Sequence, residues 1–130
     1  MSDTASKTAM GMVGAAKGRV ENLTPDQVEE ELKNADTVLV DVRDSAERSQ
    51  KGTIPGAIPI DRGMLEFRAD DSTPYHHPEL RRDRRIILHC ASGGRSALAA
   101  DTLQQMGYTN VAHLDGGLNA WRESGKPIEE

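Results

Sequence analysis

The sequence predicts an α/β domain: a central parallel sheet of about five strands with helices on both faces. Three observations predict it. Asp36–Arg43, Ile86–His89 and Val111–Leu114 are short, continuous apolar runs, the pattern of strands covered on both sides. Helical segments with their own start and stop signals lie between them, so strands and helices alternate. No internal repeat or low-complexity linker divides the chain, and 130 residues suit one domain.

The elements follow in order. Residues 1–18 are small and polar and are expected to form a flexible N-terminal extension, mobile at least to Ala5, with residues 19–130 as the domain. Ala9–Ala16 is the only stretch resembling a signal-peptide core. It is short, glycine-broken and lacks a basic start, so it reads as a tail or a loose helix. Arg19–Asn22 reads as a short strand. Thr24-Pro25-Asp26 opens a helix: threonine caps, proline takes the first helical position, and an acid sits in the first turn. Val28 and Leu32 then share one face. After the strand at 36–43 comes a short helix or turn, Ser45–Gln50, ended by Gly52. Ile54–Ile60 is a turn leading into a short strand. Asp61–Thr73 holds a short helix with Met64, Leu65 and Phe67, and Pro74–Arg85 is irregular. Its basic run, Arg81, Arg82, Arg84 and Arg85, is expected to be a solvated turn. Ile86–His89 is a buried strand. Gly94–Met106 is a helix whose alanines 97, 99 and 100 offer a small-residue packing face with Leu98 and Leu103, and Gly107 caps it. Val111–Leu114 is the next strand, Gly116-Gly117 breaks it, and Leu118–Ser124 is a last helix with Trp121 facing in.

Composition narrows the function. The 16 basic and 21 acidic residues give a net charge of −5, and there is no dense Lys/Arg face, so nucleic acid is a poor partner. Aromatic residues are only 3%, so the core must be built from Val, Ile, Leu, Ala and Met. No run approaches the ~20 apolar residues that span a bilayer, so no membrane partner is expected. One cysteine cannot form an internal disulfide and fits a reducing compartment, with a cytoplasmic location expected.

That cysteine sits in H-C-A-S-G-G-R-S, residues 89–96, between a buried strand and a helix. In a parallel sheet the ligand site lies outside the carboxyl ends of the strands, where Cys90 falls. A thiol attacks as thiolate, and a free cysteine has a pKa of about 8.5, so something must favour the anion. Three features serve. A helix N-terminus follows, with free amides and a favourable dipole. Gly93 and Gly94 let the backbone curl into a nest of N–H groups. Arg95 supplies a permanent charge with a forked donor face. Ser96 adds a hydroxyl or caps the helix. A lone cysteine is ordinarily a small core hydrophobe. A core thiol, however, has no use for two glycines and an arginine at a helix start.

These residues resemble the active-site loop of the single-domain, rhodanese-like sulfurtransferases: Cys90-Ala91-Ser92-Gly93-Gly94-Arg95-Ser96. Asp41-Val42-Arg43 with Glu47, and Gly52-Thr53-Ile54-Pro55-Gly56-Ala57, are similar to that family's N-terminal signature. Leu114-Asp115-Gly116-Gly117-Leu118-Asn119-Ala120-Trp121 is similar to its C-terminal one. The resemblance runs from about Val20 to Pro127 and implies a rhodanese-like domain. It implies that Cys90 is the catalytic nucleophile and that Ala91, Ser92, Gly93, Gly94, Arg95 and Ser96 bind the substrate. Cys90 would take the outer sulfur of a small sulfur-containing anion such as thiosulfate. It would then pass that sulfur from a persulfide to cyanide or a thiol, which includes a protein thiol. No metal and no organic cofactor are implied.

Two rivals remain. Thiol-dependent phosphatases and arsenate reductases, some of this fold, also place His-Cys before a loop and Arg-Ser after it. Their loop holds five residues between Cys and Arg; this one holds four, Ala91 to Gly94. A shorter loop makes a narrower ring of amides, better sized for one sulfur than for a phosphoryl group. No aspartate is marked as the general acid a phosphatase needs. A sulfur-relay or binding module is the other rival, with the same chemistry at Cys90.

Other residues carry weaker expectations. Arg43 and Glu47, four apart, are expected to form a structural ion pair. Asp41 is placed to hydrogen-bond the loop or Ser96. His76-His77 lack the spacing of a metal site and read as loop residues. His89 and His113 are expected to make structural hydrogen bonds. Met64, Leu65, Phe67 and Arg68 either wall the pocket or form a surface helix.

Overall fold

The computed structural model of the chain describes residues 7–130. Five parallel strands form one sheet in the order β1-β5-β4-β2-β3. They are β1 (Glu21–Leu23), β2 (Thr37–Asp41), β3 (Ile58–Pro59), β4 (Arg85–His89) and β5 (Val111–Leu114). The helices are α1 (Ala9–Lys17), α2 (Pro25–Glu31), α3 (Ser45–Lys51), α4 (Leu65–Ala69), α5 (Gly94–Gln105) and α6 (Gly117–Glu123), with a 3-10 turn at Arg62–Met64. The α/β fold read from the sequence is the one observed.

Both faces of the sheet are covered, which explains why the strands read as unbroken apolar runs. On one face Val38, Val40, Ile86 and Leu88 pack against Leu65 of α4 and Ala99, Ala100 and Leu103 of α5. On the other, Leu39, Ile87, Ala112 and Leu114 pack against Val28 of α2 and Leu118 and Trp121 of α6. The Thr24 cap forms as expected: its hydroxyl accepts from Gln27 N while the Gln27 side chain accepts from Thr24 N, a reciprocal capping box.

For Ala9–Ala16, read as a tail or a loose helix, the helix is the form observed, and it is docked rather than loose. Ala9–Lys17 is a helix, capped by the Thr8 hydroxyl, which accepts from Gly11 N at 2.9 Å. Its Val13 and Ala16 are buried against Ala97 of α5. Two glycines weaken this segment as an isolated helix, and packing of Val13 and Ala16 supplies what propensity does not. The expected mobility through Ala5 lies outside the described residues. The reading of the basic run is corrected. Arg85 pairs with Glu31 at 2.7 Å and Glu21 at 2.9 Å, and Arg84 pairs with Glu79, so these two side chains are mostly covered by the acids they meet.

Candidate active site

Cys90 follows β4 directly, at the carboxyl end of a central strand, and is 1% exposed. Its Sγ accepts from the amides of Gly93 at 3.1 Å and Ser96 at 3.4 Å, and lies 3.5 Å from the Ser96 hydroxyl. The cradle therefore exists, built where α5 begins.

Two glycines shape it. Gly93 has φ +104°, and a Cβ there would sit 3.1 Å from Gly116 N, so both the backbone and the space demand glycine. Gly117 has φ +60°, and a Cβ there would meet the carbonyls of Cys90 and Ala91 at 2.6 Å. This close approach lets Leu118 N donate to Cys90 O at 2.9 Å and Asn119 N donate to Ala91 O at 3.0 Å. With those carbonyls turned to α6, loop amides are left for the sulfur. Gly116-Gly117, read from the sequence as a strand breaker within the C-terminal signature, is thus the floor of the loop.

Arg95 does not stand free. Its guanidinium donates to both Glu47 carboxylate oxygens, at 2.7 and 2.8 Å, in a half-exposed bidentate pair. That donation holds the Glu47 carboxyl well below its usual range, at about 2, and raises Arg95 further. Glu47 Oε1 also accepts from Asp44 N, closing the capping box of α3. The expected Arg43–Glu47 pair is therefore corrected. Glu47 turns back over the helix start toward Arg95, while Arg43 is buried and donates to Asp41 and to Gly52 O at 2.8 Å.

Asp41 likewise does not reach the loop or Ser96. It accepts from Arg43 N and from the Arg43 side chain, on the sheet face opposite α5. The carboxyl is held below its ordinary value although burial alone would raise it, because Arg43 donates to it. His89 lies on that face too, its Nε2 3.7 Å from Asp41 Oδ2 and without a hydrogen-bond partner.

Ser96 faces the other side. Its Oγ lies 2.9 Å from His113 Nδ1, and His113 Nε2 lies 2.7 Å from Asn22 Oδ1. The sequence marked Asn22 only as the end of a strand, and for His113 it indicated a structural hydrogen bond without a partner. No local signal marks this pairing, because 91 residues separate the two partners.

The remaining candidates fall elsewhere. Leu65 is core, Phe67 is half exposed and packs edge-on to Tyr75 at 6.4 Å, and Arg68 donates to Tyr75 O. His76 Nε2 lies 2.8 Å from Leu80 O and His77 Nδ1 accepts from Glu79 N, so both histidines serve the loop backbone. Trp121 is buried with Lys126 over its ring at 5.9 Å.

Comparison with known proteins finds relatives along most of the chain. A sulfurtransferase of Allochromatium vinosum is 38% identical over 93 residues, covering 72% of this chain and 78% of that protein. A Rhodopseudomonas palustris structure, described as a protein of unknown function and possible tyrosine phosphatase, is 41% identical with a TM-score of 0.89 and covers 99% of both chains. The polysulfide-sulfur transferase homodimer of Wolinella succinogenes is 30% identical with a TM-score of 0.74, covering 90% of this chain and 83% of that one. The rhodanese-like domain family matches residues 24–124, from the cap of α2 through the end of α6, and the chain belongs to that family.

Proposed function

We propose that this protein is a sulfurtransferase that carries sulfane sulfur as a persulfide on Cys90. The observation that carries the reading is the cradle: the amides of Gly93 and Ser96 donate to one buried sulfur, with four residues between Cys90 and Arg95. Backbone donors at a helix start stabilise a negative sulfur without a bound metal. The Cys90 thiolate attacks the outer sulfur of a donor such as thiosulfate. A sulfur–sulfur bond forms at Sγ, the donor's own S–S bond breaks, and sulfite leaves with the bonding pair. A nucleophilic acceptor, cyanide or a thiol, then attacks the outer sulfur, and Cys90 leaves as thiolate. The loop amides stabilise the sulfur anion in both states. The sulfurtransferase relatives and the polysulfide-sulfur transferase neighbour support sulfur as the cargo.

Intact mass after incubation with thiosulfate tests the reading. The wild type is expected to gain one sulfur, and Cys90→Ser none, while the variant keeps its fold. No gain with thiosulfate or a polysulfide would overturn it. The possible phosphatase among the similar structures makes the second arm necessary. Substantial release of phosphate from an aryl phosphate by the wild type would return the loop to the phosphatase class.

A further inference from the structure

Cys90 is almost wholly buried, so its proton has no direct path to solvent. Among the described residues, one polar side chain touches the sulfur: Ser96, 3.5 Å away. From Ser96 the contacts continue without a gap. His113 Nδ1 lies 2.9 Å from the hydroxyl, and His113 Nε2 lies 2.7 Å from Asn22 Oδ1. Ser96 and His113 are both 0% exposed.

The chain has a direction, set at its far end. The Asn22 amide nitrogen donates to Lys17 O at 2.9 Å and Val20 O at 3.1 Å, so its Oδ1 is the atom left for His113. An oxygen acceptor requires the Nε2–H tautomer, which leaves Nδ1 as an acceptor. Nδ1 accepts a hydrogen bond from the Ser96 hydroxyl, and the Ser96 oxygen accepts from the Cys90 thiol. Every donor and acceptor from the asparagine to the sulfur is matched in this one arrangement.

We propose that Asn22, His113 and Ser96 form a proton relay that positions and ionises Cys90. The S–H bond breaks with its electron pair staying on sulfur. Ser96 Oγ takes that proton and passes its own to His113 Nδ1. A neutral thiol and imidazole become a thiolate and an imidazolium, with no redox change. The reversed hydroxyl now donates to the thiolate, adding a third donor to the amides of Gly93 and Ser96. The inference rests on the proposed role of Cys90 as nucleophile, and it gives work to a buried histidine that the sulfur-transfer steps leave unused.

The surroundings suit a histidine that is neutral at rest. Burial lowers His113 to about 4. The charged groups acting on it are Asp115 of the β5–α6 loop, which raises it, and Lys17 of α1, which lowers it; they act in opposite directions and pair with each other at 3.0 Å. β4 sets the uncharged Leu88 beside it in register, and β1 sets Asn22. The one anion that reaches it through the relay is the Cys90 thiolate, so the imidazolium forms only together with its counter-charge.

The chain has one cysteine, so alkylation by iodoacetamide reads Cys90 alone and needs no sulfur donor. Its rate, followed by intact mass from pH 5 to 9, is the test. In Ser96→Ala and in His113→Asn the midpoint is expected to move up by about one pH unit, a roughly tenfold loss of rate near neutrality. Ser96→Thr keeps the hydroxyl and should restore the wild-type profile. The double variant should be no worse than either single, because the relay acts as one unit. Folded variants with an unshifted profile, or single effects that simply add, would overturn the relay. Should His113→Asn not fold, the 15N shifts of His113 in the wild type decide: the Nε2–H tautomer is required, and Nδ1–H overturns it. Failure of thiosulfate to load the wild type, with the alkylation pattern intact, would strike the sulfur-transfer reading and leave the relay standing.

Discussion

Two buried histidines on neighbouring strands receive opposite treatment from this fold. His113 aligns with Leu88 across β5 and β4, so it shares the face of α5, and His89, the next residue along β4, points to the other. Both are fully buried and both are held below the ordinary histidine range, first of all by desolvation. His113 has a partner at each nitrogen and leads to the sulfur. His89 has its Nδ1 3.2 Å from Cys90 O and an Nε2 with no hydrogen-bond partner, beside the Asp41–Arg43 pair. Burial alone therefore says nothing about function; what distinguishes the two is where their hydrogen bonds lead.

Three tests, using four substitutions, stress that contrast. The largest effect is expected on the His89 face. Arg43→Met leaves the Asp41 carboxylate buried without its cation, and a loss of about 3–5 kcal/mol in urea unfolding is expected. A loss under about 1 kcal/mol would mean that this ion pair does not hold the face together.

The second compares the histidines themselves. His113→Leu strands the Ser96 hydroxyl and the Asn22 carbonyl, and should cost about 2–3 kcal/mol. His89→Leu removes one nitrogen that has no partner and one beside Cys90 O, a carbonyl that Leu118 N still satisfies, and should stay within about 1 kcal/mol of wild type. Equal losses would erase the distinction. Acid sharpens it. His113 titrates at about 4 in the folded chain and near 6.5 unfolded, so the unfolded state binds more protons between those values. Its contribution to stability is complete above pH 6.5 and is lost as pH falls toward 4. His113→Leu should therefore flatten part of the acid-side slope in that window, as measured by unfolding at successive pH values.

The smallest stability effect belongs to the surface. Glu47→Gln breaks a half-exposed pair and should change stability by no more than about 1 kcal/mol. It frees Arg95, however, and the apparent KM for thiosulfate should fall. An unchanged KM would mean that Arg95 does not meet the donor even when released.

The sequence made the strands, the caps and the cysteine loop legible because each is written locally. D-T-V-L-V-D-V-R is a short apolar run interrupted only by Asp41 between its charged ends, and Cys90 to Ser96 is seven consecutive residues. What it hid are pairings across long separations, in which several partners were chemically acceptable. Glu47 stands four residues from Arg43 and 48 from Arg95, yet the helix cap aims it at the distant arginine. Asn22 carries no mark that it will orient a histidine 91 residues away. The α1 helix was obscured for a different reason. Its glycines and alanines read as weak local propensity, whereas the helix is held by Val13 and Ala16, which pack on Ala97, a partner 81 residues along the chain from Ala16.

That seam has a consequence for inheritance. Ala16 and Ala97 meet with no side-chain volume to spare, and the carbonyl of Lys17, the next residue, holds Asn22. A single-nucleotide change that enlarges Ala16 would alter no charge, no hydrogen-bonding side chain and nothing within reach of the thiol. A geneticist would file it as a conservative variant in a distant helix. Through one displaced carbonyl and one rotated amide, it could still produce an allele that is abundant, folded and silent.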